Sequence, residues 1–191
     1  MKIAIFGGSF NPVTKGHTRL ANYIVENGVA DQVLMMPCYK SLYNKGLASG
    51  DQRLDMIALS HHHPRVKPYD WEIKNKVDGP GTYQIMQMVG EEFPLAELFF
   101  VIGLDNSQKV RTWKNGDKIV ENMQFIVVPR GGVVVTDRWY MNAPHIFIDK
   151  YQPDDISSTC VKQLIKEGKG TENVLDQHVK EYIVVYNLYR D

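Results

Sequence analysis

Gly7-Gly8-Ser9-Phe10-Asn11-Pro12-Val13-Thr14-Lys15-Gly16-His17 follows directly on the apolar run Ile3-Ala4-Ile5-Phe6. Together they read as a buried strand that empties into a glycine-rich turn and then feeds a helix, with His17 in about its first turn. The glycines let the main chain approach an anion without a Cβ in the way. The helix behind them aims unpaired N–H groups and the positive end of its dipole at the same point. That layout is a nucleotide-phosphate site built from backbone and one histidine. Far along the chain, Ile156-Ser157-Ser158-Thr159-Cys160-Val161-Lys162 offers a second set of hydroxyls and a cation at another expected helix start. Ser158 and Lys162 are four residues apart and so share one helical face.

Working outward, residues 2–6, 33–36, 98–102 and 125–128 read as buried strands, with 145–148 as a shorter one. Residues 18–27, 52–61, 82–89, 157–166 and 177–188 read as helices. Gly28 suits a helix C-cap, Pro64 a stop and Thr82 a helix N-cap. Residues 38–49 are polar and read as an active loop. Strands alternating with helices imply an α/β fold, a doubly wound, Rossmann-like parallel sheet with right-handed crossovers. Its C-terminal part is expected to be helical. Ligands of such sheets sit at the carboxyl ends of the strands, where Gly7–Ser9, residues 37–45 and Gly103–Asp105 should converge.

The bulk properties narrow the function. A chain of 191 residues with no break in composition is expected to form one domain spanning 1–191. Lys plus Arg and Asp plus Glu are both 22, so no overall field favours nucleic acid or an anionic membrane. No stretch approaches the roughly 18 apolar residues of a membrane helix, and the first strand is too short for a signal peptide. Cys38 and Cys160 are expected to be free thiols. A cytoplasmic location follows as the expectation. His61-His62-His63 does not suit a metal site, because consecutive helical residues point about 100° apart.

The pair Gly-Gly-Ser-Phe-Asn-Pro-x-Thr-x-Gly-His and Ile-Ser-Ser-Thr-x-x-Lys resembles the signature of the nucleotidyltransferases with a (His/Thr)-x-Gly-His motif. Within them it is most similar to the nicotinamide/nicotinate mononucleotide adenylyltransferases. Gly103-Leu104-Asp105, Trp113 and Val127-Val128-Pro129-Arg130 fall in the order of that family, so the resemblance spans nearly the whole chain. It implies an enzyme that joins ATP to nicotinamide or nicotinate mononucleotide, giving NAD or its acid form and pyrophosphate. His17 and Lys162 would be the catalytic groups. Gly7, Gly8, Ser9, Phe10, Thr14, Gly103, Asp105, Ile156, Ser157, Ser158 and Thr159 would complete the ATP site. Ser9, Lys45, Trp71, Thr82, Tyr83 and Trp113 would receive the mononucleotide. Magnesium would arrive with ATP and have few protein ligands, and the family admits homo-oligomers.

Two departures stand out. Thr14 occupies a position where many relatives have histidine, and Lys162 one where most have arginine. Lysine keeps the charge but lacks the planar fork. Plainer roles stay open beside these: a helix N-cap for the serines or for Asp105, a core position for Trp71 or Trp113, and a solvated Lys15. Competing functions are transfer to another phosphate acceptor, such as phosphopantetheine or glycerol phosphate, and a nucleotide sensor without turnover. A dinucleotide-binding dehydrogenase is disfavoured, because Ser-Phe-Asn-Pro follows Gly8 in place of Gly-x-Gly-x-x-Gly.

Overall fold

Ile3, Ala4 and Ile5 are all fully buried, because their strand, β1 (Lys2–Gly8), lies inside the sheet with helices on both faces. A strand covered on both sides reads as a continuous apolar run rather than an alternation. The structure, a computed structural model, describes residues 1–40, 46–78, 81–154 and 156–190. The other strands are β2 (Gln32–Pro37), β3 (Val66–Pro68), β4 (Glu97–Gly103), β5 (Gln124–Val128) and β6 (Ile146–Phe147). They form a six-stranded sheet of order β3-β2-β1-β4-β5-β6 in which every pairing is parallel. This is the expected doubly wound, Rossmann-like sheet. Between β1 and β4 the winding reverses, and connections leave in opposite directions there, opening a crevice at the strand ends.

Side-chain alternation along the strands divides the core in two. Ala4, Val33, Met35, Phe99, Val101 and Ile126 face one side. There they meet α1 (Lys15–Glu26), α2 (Gly50–Leu59), α7 (Ser158–Lys166) and α8 (Gln177–Val185). Ile3, Ile5, Leu34, Met36, Phe125 and Val127 face the other side. These meet α3 (Trp71–Lys74), α4 (Thr82–Glu92) and α6 (Gly116–Asn122). A further single turn, α5 (Leu104–Ser107), follows β4 directly.

Several boundaries differ from the sequence expectation for local reasons. Helix α1 begins at Lys15, earlier than expected, because Thr14 and His17 cap it. At the start of α2 the Ser49 hydroxyl accepts from the Gln52 amide at 3.1 Å, and Gln52 Oε1 accepts from the Ser49 amide at 3.0 Å. That reciprocal pair fixes the helix start. Ser60 ends α2, so the three histidines lie beyond it; His63 instead accepts the Arg65 amide through Nδ1 at 3.1 Å. Gly81, not Thr82, is the N-cap of α4. Among the described residues no helix is long and apolar enough to cross a membrane.

Candidate active site

The ends of β1, β4 and β5 open onto a cavity of about 590 Å³. Gly7 lines it from β1, Gly103 from β4, and Val128, Pro129 and Arg130 from the end of β5. Helix α1 contributes Gly16 and His17, α5 contributes Asp105 and Asn106, and the segment leading to α7 contributes Tyr151, Ile156 and Ser157. Trp113 stands at the side. The two signature motifs, some 140 residues apart in sequence, therefore meet at one crevice, as the switch-point rule requires.

His17 is held by the first turn of its own helix. The Thr14 amide donates to His17 Nδ1 at 3.0 Å, and the Thr14 hydroxyl lies 2.8 Å from the same nitrogen. A ring nitrogen that accepts from a peptide N–H carries no proton, so the proton of the neutral ring is on Nε2. The edge of the ring left for the cavity is therefore a donor. Burial lowers the pKa of His17 to about 4, which keeps the ring neutral near pH 7. Phe10 supports it from the side, with ring centroids 5.1 Å apart. Thr14 is buried and outside the cavity lining, so its described contacts set the histidine's tautomer and orientation.

The second motif divides its hydroxyls among different tasks. Ser157 is the N-cap of α7, its Oγ accepting from the Cys160 amide at 3.1 Å, and it also lines the cavity. Ser158 donates its hydroxyl to the Pro12 carbonyl at 2.9 Å, tying α7 to the phosphate loop. Thr159 is exposed and outside the lining. Arg19 grips Asp154 through two contacts of 2.9 and 2.8 Å and so fixes the approach to α7 against α1. Lys162 sits one turn along α7, half-buried and outside the lining, with no ion-pair partner among the described residues. The family resemblance implies that its amine meets a phosphate at the helix start. Lys162→Met should then lower kcat/KM for ATP by about 3- to 10-fold, a modest partly exposed charge effect. Lys162→Arg should retain the wild-type value. Steady-state kinetics with varied ATP check this, and an unchanged Met variant would make Lys162 a surface residue.

Asp105 lies in the first turn of α5 rather than at its cap, which is Gly103. Its Oδ1 is buried without a hydrogen-bond partner, and Arg130 Nη1 approaches Oδ2 to 3.8 Å. A buried carboxylate oxygen without a donor is unusual, and it belongs to a residue that lines the cavity. Glycine at 103 makes the arrangement feasible, since a Cβ there would lie 2.5 Å from Asp105 Oδ1.

The residues expected around the mononucleotide are less tightly gathered. Trp113 is half-buried and lines the cavity. Gly81 packs against Lys114, a Cβ at Gly81 falling 3.3 Å from the Lys114 Cβ, so the start of α4 with Thr82 adjoins the Trp113 turn. Tyr83 borders a separate groove with Met86 and Gln124. Trp71 is 5% exposed and packs in the core with Leu34 and Met36, the plainer of its two expected roles. Lys45 lies outside the described residues. Ser9 is half-buried, and its carbonyl accepts from Arg53 Nη1 at 3.0 Å. Gly8, at the end of β1, and Phe10 shape the loop from beneath and do not line the cavity.

Sequence reasoning missed Arg53, a guanidinium only 1% exposed that donates through Nε to the Ala48 carbonyl at 3.0 Å. It sits on the inner face of α2, where an apolar residue is expected, and that conflict of pattern was its only signal. Glu72 is also buried, accepts from the Tyr39 amide at 3.2 Å, and is pushed by desolvation to a pKa of about 7.

Residues 5–164 match the Cytidylyltransferase-like family. A probable nicotinate-nucleotide adenylyltransferase of Flavobacterium psychrophilum is 34% identical over the full length of both chains. The nicotinate-nucleotide adenylyltransferase of Bacillus subtilis is 28% identical, with 98% of each chain covered. In fold, the chain is similar to the Plasmodium falciparum nicotinic acid mononucleotide adenylyltransferase complexed with NaAD, with a TM-score of 0.81 at 22% identity. That likeness covers 98% of this chain and 97% of the other. The chain belongs to the Cytidylyltransferase-like family, among the nicotinate-nucleotide adenylyltransferases.

Proposed function

We propose that this chain, acting as one nucleotidyltransferase domain, transfers the adenylyl group of ATP to nicotinate mononucleotide. An oxygen of the mononucleotide phosphate attacks the α-phosphorus in line. The bond from that phosphorus to the β-phosphate's bridging oxygen breaks, and pyrophosphate leaves. Little covalent work falls to the protein, so positioning and charge stabilisation carry the rate. The observation that supports this best is a neutral histidine donor fixed beside the start of α1 and facing a cavity shared with both motifs.

In this reading His17 Nε2–H and the start of α1 at Gly16 meet the phosphates as charge develops on them, with Ser157 at the same cavity. The Asp105 carboxylate accepts from the ATP ribose, and Gly103 and Ile156 border the nucleoside. Magnesium, when bound, would come in on the ATP phosphates and supply positive charge there. Among the described residues Asp105 and Asp154 are the carboxylates that line the cavity, and Asp154 is paired with Arg19. The names of the relatives favour the acid form of the pyridine ring over the amide.

Pyrophosphate release from MgATP, measured with nicotinate mononucleotide, its amide, phosphopantetheine and glycerol phosphate in turn, tests the proposal. Turnover should be fastest with the nicotinate form; preference for a non-pyridine acceptor would overturn it. Trp113 gives a second check. Its indole face suits a flat pyridinium, a contact of about 0.5–2 kcal/mol. Trp113→Ala should raise KM for the mononucleotide by about 3- to 30-fold and leave KM for ATP nearly unchanged. Equal effects on both substrates would mark Trp113 as packing.

A further inference from the structure

Asn11 is 0% exposed, and nothing in the reaction above uses it. Its side chain is nonetheless almost fully bonded. Nδ2 donates to the Gly46 carbonyl at 3.1 Å, while Oδ1 accepts from the Ala48 amide at 3.0 Å and from the Tyr189 hydroxyl at 2.7 Å. Arg53 completes the grip by joining the Ala48 carbonyl to the Ser9 carbonyl, each at 3.0 Å. Segment 46–48 is thus fastened by two buried side chains. One grows out of the phosphate loop, and the other is tied to it.

Tyr189 reaches this junction from the far end of the chain, 178 residues away from Asn11 in sequence. It does so with a φ of +63°, a region costly for an aromatic residue. Asn187 adopts a φ of +51° just before it. Such backbone persists where the surroundings over-determine it. Helix α8 supplies that determination, since Val179 and Ile183 are buried in the core and the Tyr182 hydroxyl donates to Asp55 on α2 at 2.7 Å. The tail therefore holds one phenol against one amide. With two donors on Oδ1, the Asn11 side chain has a single orientation, the one in which Nδ2 meets Gly46.

We infer that Tyr189 and Asn11 are positioning residues for the mononucleotide. The C-terminal tail sets segment 46–48, where the polar loop rejoins α2, in register with Ser9 on the phosphate loop, and so sets the mononucleotide phosphate against the α-phosphorus of ATP. This rests on the proposed function and on the family resemblance, which gives Ser9 and the polar loop to the mononucleotide. Neither residue touches the reacting atoms.

Tyr189→Phe removes one oxygen and keeps the ring. It should raise KM for nicotinate mononucleotide by about 3- to 10-fold, the scale of one buried hydrogen bond, and leave KM for ATP near its wild-type value. Amide exchange at Ala48, measured on the substrate-free protein, should quicken by a similar factor. KM values rising together, or faster exchange with an unmoved mononucleotide KM, would reduce the phenol to a stabilising contact and overturn the inference. Unchanged exchange would overturn it as well, whichever acceptor the enzyme uses. If the wild-type protein turns over no pyridine mononucleotide, the proposed function fails separately, and the Ala48 exchange rate still decides whether the tail orders this segment.

Discussion

His17→Ala should lower kcat by about 10²–10³, the loss expected for one preorganised transition-state donor, with little change in either KM. The expectation follows from the tautomer: Nδ1 is occupied by the Thr14 amide, so the ring offers Nε2–H and nothing else. It also sets a pH dependence. A ring with its pKa near 4 stays neutral through the physiological range, so His17 should contribute no inflection to kcat between about pH 6 and 8. Stability behaves differently. The unfolded imidazole takes up a proton as pH falls below about 6.5 while the folded ring resists until about 4, so the folded state loses stability across that window. Thermal melts of wild type and His17→Gln between these two pH values should converge as pH falls. A variant with near-normal turnover would remove His17 from the chemistry.

Asp105→Ala should raise KM for ATP by about 10- to 100-fold, since hydrogen bonds to a charged acceptor are worth about 1.5–3 kcal/mol each. Its effect on the mononucleotide KM should be small. Asp105→Asn, which retains an acceptor oxygen but loses the charge, should fall between. Initial-rate kinetics with ATP and with 2′-deoxy-ATP sharpen the test. If Asp105 accepts from the ribose, removing a hydroxyl and removing the carboxylate will not be additive. Independent effects would place the carboxylate's partner elsewhere, with Arg130 the nearest candidate.

The strands were legible because burial on both faces leaves an unbroken apolar run, as in Leu98–Ile102 and Phe125–Val128. The phosphate sites were legible because glycines and hydroxyls at helix starts have few other uses. What stayed hidden was mostly polar and long-range. Asn11 looked like one more loop residue, and its partners Ala48 and Tyr189 are distant in sequence. Trp71 shows a different ambiguity, since an indole suits a pyridine ring and a core equally well, and its 5% exposure sets it among core residues. Ser158 was grouped with its neighbours as a phosphate ligand, yet its hydroxyl reaches the Pro12 carbonyl. Sequence spacing marked the helix start but could not say which hydroxyls have partners within the protein. Short elements such as β3 and α3 escaped because three or four residues carry no periodicity.

The contact that closes the first turn of α1 is also the one that decides where the proton on His17 resides. Local opening of that turn would free Nδ1 and release the ring. Catalytic competence is then a local equilibrium property. With His17 as the proposed donor, activity should follow the population in which that turn is wound, and warming should erode it before the sheet gives way. A phosphate bound in the cavity, by accepting from His17 Nε2–H, would hold the ring where Nδ1 meets the Thr14 amide and so favour the wound turn.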